Sequence, residues 1–140
     1  MHILLAVDGS AVATRAVKHV AKLAASMAKP PKVTLLFADE PLLRSVAVSL
    51  GAQGVEKYHA DNAAYATRQA RAALNRAKIT FKEDMRVGTP APTIVKAAKD
   101  LKADLIVMGS RGHTALASVF LGSVATKVIA ESPIPVTVVR

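Results

Sequence analysis

The chain has 140 residues, 51% of them hydrophobic, with 19 basic against 10 acidic side chains and a formal net charge of +9. That length makes one domain able to bury a single core without staples, and the absence of cysteine excludes a disulfide framework and thiol chemistry. No apolar run approaches the roughly 20 residues needed to span a bilayer, and the opening MHILLAVDGS is too short and wrongly flanked for a signal peptide, so a cytoplasmic protein is expected.

Ile3 to Val7 is a continuous apolar run and reads as a buried strand. Ser10 is placed to cap a helix whose inward stripe is Ala13, Ala16, Val17, Val20, Leu23, Ala24 and Met27, and Lys29-Pro30-Pro31 stops it. Val33 to Ala38 is the second strand. Residues 39–55 hold Pro41, Gly51 and Gly54 among mixed apolar side chains and read as a long connection. Gly51 and Gly54 mimic a G-x-x-G pair, but no strand runs into them. From Glu56 to Lys78 an alanine-rich helix turns Ala63, Ala66, Ala70, Ala73, Leu74 and Ala77 inward.

The third strand alternates, with Ile79, Phe81, Met85 and Val87 inward against Thr80, Lys82, Asp84 and Arg86, and Glu83 breaks the inner side. Thr89 as N-cap and Pro90 at the first position open a helix buried through Ile94, Ala97, Ala98 and Leu101. A strand over Ala103–Met108, a helix from Val124 to Ala130 and a strand from Pro135 to Val139 complete the chain. No internal repeat or linker interrupts it.

Alternating strands and helices predict a single-domain α/β fold, an open parallel five-stranded sheet with helices on both faces. Strands one and four are apolar throughout, as central strands are, and the alternating third suits an edge. The order 3-2-1-4-5 satisfies both. It reverses direction between strands one and four, and ligands bind at such a switch point, outside the C-terminal strand ends. The residues there are Asp8-Gly9 and Met108-Gly109.

The same place carries the most informative motif. Gly109 and Gly112 stand two residues apart, then nine residues precede Gly122-Ser123. Glycines at a strand end let backbone N–H groups approach a ligand, and a Gly-Ser opening a helix adds unpaired amides at the positive end of its dipole. Together they suit a phosphate chain; the plain alternative is that the glycines only shape a turn. It is not a P-loop, because no G-x-x-x-x-G-K-[ST] occurs, and no G-x-G-x-x-G follows a strand.

On these residues the chain resembles the universal stress protein family, in its nucleotide-binding branch, whose G-2x-G-9x-G-[S/T] motif is matched by Gly109, Gly112, Gly122 and Ser123. The resemblance covers the whole chain, 1–140: Ile3–Ser10 looks like the family's first strand and turn, Val87-Gly88-Thr89-Pro90 like its third strand entering a helix, and Ser132–Arg140 like its closing strand. It implies the Rossmann-like fold above and a nucleotide site at Val7, Asp8, Ala38, Met108, Gly109, Arg111, Gly112, His113, Gly122, Ser123 and Val124. ATP is the implied ligand, with Mg²⁺ held through Asp8 as one option.

Asp8 reads either as an acceptor for ribose hydroxyls or a ligand of phosphate-bound Mg²⁺, or as the turn residue of Asp-Gly-Ser. Ala38 corresponds to a position lining the adenine pocket, or is ordinary packing. Arg111 and His113 either touch phosphate oxygens or point to solvent. Asp39 and Glu40 read as a polar loop start, with reach to the pocket as the other reading. His2, His19 and His59 show no metal-ligand spacing.

No catalytic lysine, positioned base or arginine finger accompanies the phosphate loop. A nucleotide-binding regulatory protein is therefore expected, with slow ATP hydrolysis or autophosphorylation, or cyclic-nucleotide sensing, as alternatives on the same pocket. Arg15, Lys18, Lys22, Arg68, Arg71, Lys78, Lys96, Lys99 and Lys102 fall on polar helix faces, and aromatics are 4% with no Trp, so the charge reads as a solvated surface rather than a nucleic-acid site. The apolar strand Val136–Val139 is an unprotected edge, expected to pair with its copy in a homodimer centred on Thr137 and Val138.

Overall fold

The computed structural model describes residues 1–113 and 120–140. In chain order the elements are β1 (His2–Ala6), α1 (Ala11–Ala25), β2 (Lys32–Asp39), α2 (Arg44–Arg76), β3 (Phe81–Val87), α3 (Pro90–Asp100), β4 (Leu105–Gly109), α4 (Ser123–Glu131) and β5 (Val136–Val139). All neighbouring strands run parallel in one five-stranded sheet of order β3-β2-β1-β4-β5, as expected.

The pleat divides the core. Leu4, Ala6, Leu36, Ile106 and Met108 face α3 and α4, while Ile3, Leu5, Val33, Leu35 and Val107 face α1 and α2. Because β1 and β4 carry apolar residues on both faces, they sit in the middle, where neither face meets water. Alanines on the buried stripes, such as Ala16, Ala70, Ala97 and Ala98, let the helices lie close to the sheet.

The structure departs from the sequence expectations in several places: β3 begins at Phe81 rather than Ile79, β4 at Leu105 rather than Ala103, and Ala77, at the C-cap of its helix, is exposed rather than inward. Strand β1 begins at His2, not Ile3, and Val7 lies just beyond it, donating its N–H to Leu36 O at 3.0 Å. Helix α1 ends at Ala25, short of Met27. The 39–55 connection is instead mostly helix: α2 starts at Arg44 and breaks only at Gly51, whose φ of 71° and ψ of 171° are open essentially to glycine alone. Leu43, Val46, Val48 and Leu50 are exposed there, so no buried stripe marks this first segment in the sequence.

In β3, Met85 and Val87 are exposed rather than inward. The opposite side of that strand is the partly covered one, where Arg86 bonds Asp84 at 3.0 Å and reaches Asp100 of α3 at 2.7 Å. Arg71 of α2 approaches Glu83 at 3.5 Å. These charges blunt the β3 edge against pairing; β5, all Val and Thr, has no such protection.

Candidate functional site

At the C-terminal end of the sheet, where the chain reverses between β1 and β4, lies a cleft of about 630 Å³, within the range of small-molecule sites. All eleven residues expected of the site line it: Val7, Asp8, Ala38, Met108, Gly109, Arg111, Gly112, His113, Gly122, Ser123 and Val124. Three helices (α1, α3 and α4) and three strand ends converge here only because of the strand order, which brings residue 8 beside residue 109.

The Asp8-Gly9-Ser10 turn is built by its own chemistry. Asp8 Oδ1 accepts the Ser10 N–H at 2.9 Å, Gly9 takes φ of +83°, and Ser10 caps α1 by accepting from the Ala13 N–H at 3.1 Å. The turn reading of Asp8 therefore holds, with one carboxylate oxygen ordering the turn and the other facing the loop. A Cβ added at Gly112 would stand 2.7 Å from Asp8 Oδ2. From across the cleft His113 Nε2 donates to the Asp8 carbonyl at 2.9 Å, joining the loop after β4 to the turn after β1.

The glycines meet protein first. A Cβ at Gly109 would lie 3.1 Å from the Val12 and Ala13 backbone of α1, and one at Gly122 would lie 3.3 Å from Arg111 Cα and the Ser110 carbonyl. Neither residue needs a positive φ; the lack of a side chain lets the loop close on itself. Gly122 is also the N-cap of α4 and supplies no side-chain acceptor, so the first-turn amides from Ser123 onward open toward the cleft without a capping partner. They present the positive end of the α4 dipole beside Gly112. The loop segment 114–119 of the motif lies outside the described residues.

Sequence reasoning missed Leu36, Pro90 and Ile94, which with Glu40 form the end of the cleft over β2 and α3; of the two readings of Glu40, reach to the pocket is the one observed. Strand alternation from Leu36 through Ala38 to Glu40 was the available signal. Asp39 points the other way, where its Oδ2 accepts from His59 Nδ1 at 2.7 Å and from Asn62 Nδ2 at 2.9 Å. Among the described residues no three acidic, His or Cys side chains form a metal-binding group on their own. A second hollow of about 550 Å³ at the opposite end of the sheet is lined by Ala21, Ala24, Pro30, Pro31 and Ala77, and there α1 and α2 end, presenting carbonyls rather than amides.

Over residues 1–140 the sequence matches the Universal stress protein family. The chain belongs to that family. Universal stress protein MJ0531 of Methanocaldococcus jannaschii is 31% identical over 142 residues, covering 99% of this chain and 81% of that protein. The universal stress protein in the QAH/OAS sulfhydrylase 3′ region of Thermus aquaticus is 58% identical over a shorter stretch of 53 residues, 38% of this chain and 39% of that protein.

Among solved universal stress protein structures and their kin, protein MJ0577 of M. jannaschii superposes with a TM-score of 0.80 at 30% identity, covering 99% of this chain and 94% of its own. A universal stress protein solved in complex with cAMP superposes with a TM-score of 0.72 at 28% identity, covering 100% of this chain and 97% of its own. No helix among the described residues is long and apolar enough to cross a membrane.

Proposed function

We propose that this universal stress protein binds an adenine nucleotide, ATP in the first instance, in the cleft at the switch point, and acts as a regulatory binding protein. The observation that carries this reading is the uncapped N-terminus of α4 standing beside Gly112 at the head of a cleft of nucleotide size. Phosphates lie on the Gly112 and Ser123–Val124 amides. The sugar lies over Asp8, and the base over Ala38. A Mg²⁺ ion bound with the triphosphate would take Asp8 Oδ2, the carboxylate oxygen that faces the loop, and would offset the repulsion between that carboxylate and the phosphates.

A binding role fits better than rapid phosphoryl transfer, because the described lining of the cleft includes no lysine. Its imidazole, His113, already donates to Asp8 O through Nε2. The relative solved with cAMP favours a second reading, in which a cyclic nucleotide occupies the same cleft.

The functional unit is a homodimer paired through β5, cytoplasmic in location. The contrast between a charged, ion-paired β3 edge and an uncharged β5 edge supports this assembly. Mass spectrometry of nucleotide released from the denatured protein, followed by calorimetric titration with ATP and with cAMP, tests the reading. ATP binding at micromolar concentration supports it; binding of cAMP alone moves the assignment to the second reading, and binding of neither ends both.

A further inference from the structure

We propose that Glu40 reads the base: its carboxylate accepts a hydrogen bond from an amino group on the edge of the bound base, so that the cleft prefers bases carrying that donor. This rests on the nucleotide reading above.

Three observations converge on Glu40. Leu36 and Ala38 alternate along the end of β2, Glu40 follows directly after it, and all three line the cleft. The residue before it is held firmly. Asp39 is bound through its carboxylate by His59 and Asn62 of α2, and its carbonyl accepts the Gly88 N–H at 2.8 Å. Those ties from two sides fix where β2 ends and hence where Glu40 starts. Glu40 itself engages no hydrogen bond or ion pair among the described residues.

The order of strands then assigns the end of the ligand that Glu40 meets. Along the C-terminal edge the sequence in space is β2, β1, β4. With phosphates at the β4–α4 loop and the sugar at the end of β1, the base falls over β2. Ala38, Pro90 and Ile94 offer apolar surface to its faces there. An unpaired carboxylate in a cleft for an anion disfavours the ligand unless it accepts a hydrogen bond from it, and an acceptor-only group selects for a donor.

The test compares ATP with purine riboside triphosphate, in which hydrogen replaces the 6-amino group, by calorimetry on the full chain at fixed salt. The parent is expected to prefer ATP by about tenfold, the lower range for a hydrogen bond to a charged group at an exposed site. In Glu40→Ala the preference falls to within about twofold, and Glu40→Gln, whose amide oxygen still accepts, keeps part of it. Removing the negative charge strengthens both triphosphates alike, so the ratio isolates the hydrogen bond. Equal binding of the two nucleotides by the parent, or an undiminished preference in Glu40→Ala, overturns the proposal while leaving the nucleotide reading standing. Binding of neither nucleotide overturns both.

Discussion

The amide of Ser110 donates to the carbonyl of Val139 at 2.7 Å. The carbonyl of the same buried serine accepts the Gly122 N–H, also at 2.7 Å, so one residue ties the last strand to the N-cap of α4. Arg140 adds a second tie, its guanidinium standing 4.2 Å from the centre of the Phe120 ring. The edge proposed for assembly and the loop proposed for phosphate are thus mechanically one unit.

Nucleotide binding and dimerisation are therefore expected to be linked, and linkage is reciprocal. Within β5, the carbonyls of Pro135 and Val139 bond to β4, so by alternation Thr137 also faces β4, while the N–H and C=O of Val136 and Val138 face outward. This shifts the expected centre of pairing from Thr137 to Val136 and Val138. Val138→Pro removes an outward N–H and is expected to raise the dimer dissociation constant at least about tenfold while keeping the β4 ladder. Thr137→Pro instead breaks that ladder and lowers the melting temperature. Sedimentation with and without ATP checks both points: the parent dimer tightens with ATP, and a monomeric parent at micromolar concentration would contradict the assembly.

Glycine substitutions separate the site from the fold. Among the described residues a Cβ at Gly112 meets only the Asp8 carboxylate, so Gly112→Val is expected to cost little stability and to weaken ATP binding at least about tenfold. Gly109→Val presses on the α1 backbone at 3.1 Å and is expected to destabilise by about 1–3 kcal/mol, the usual cost of overpacking. Thermal melts and calorimetry on the two variants show whether loss of stability and loss of binding divide in this way.

His2 predicts a pH dependence. It is buried at the start of β1, where Nδ1 donates to Leu101 O at 3.1 Å and Nε2 accepts from the Thr34 hydroxyl at 2.9 Å. Burial, followed by the charge of Lys32, holds its pKa below the ordinary 6.5. The unfolded chain then binds this proton first as the pH falls, so the stabilisation is complete above pH 6.5 and declines as the pH drops through 6.5 toward the folded value. Melts from pH 8 to pH 5 should show that decline, and a His2→Leu variant should flatten it. Thr34→Val leaves Nε2 without its donor and is expected to cost about 1–3 kcal/mol at neutral pH.

The positive charge is expected to act as a surface property. Arg15, Lys18, Lys22, Arg68, Arg71, Lys78, Lys96, Lys99 and Lys102 are all exposed, as their helical spacing indicated. Binding to duplex DNA should be weak, indifferent to sequence and lost when salt is raised from about 50 to 200 mM. Tight sequence-dependent binding at the higher salt would point to a nucleic-acid partner instead.

The sequence by itself determined the succession of elements, the sheet order and the family. Apolar runs such as Ile3–Leu5, the Ser10 cap and Thr89-Pro90 are signals written in windows of a few residues, and the spacing of Gly109, Gly112, Gly122 and Ser123 is legible without any coordinates. It also gathered eleven residues that do share one cleft. What only the tertiary structure decided lies where contact partners are remote. The first segment of α2 buries no stripe and so left no period to read. Asp84 and Arg86 are partly covered because Arg86 pairs with Asp84 and with Asp100 of α3, whatever their polarity suggested. Glu40 enters the cleft because Asp39 beside it is held by His59, Asn62 and Gly88. Ser110 joins β5 to α4 for the same reason: backbone groups from distant parts of the chain meet only once the sheet has closed around them.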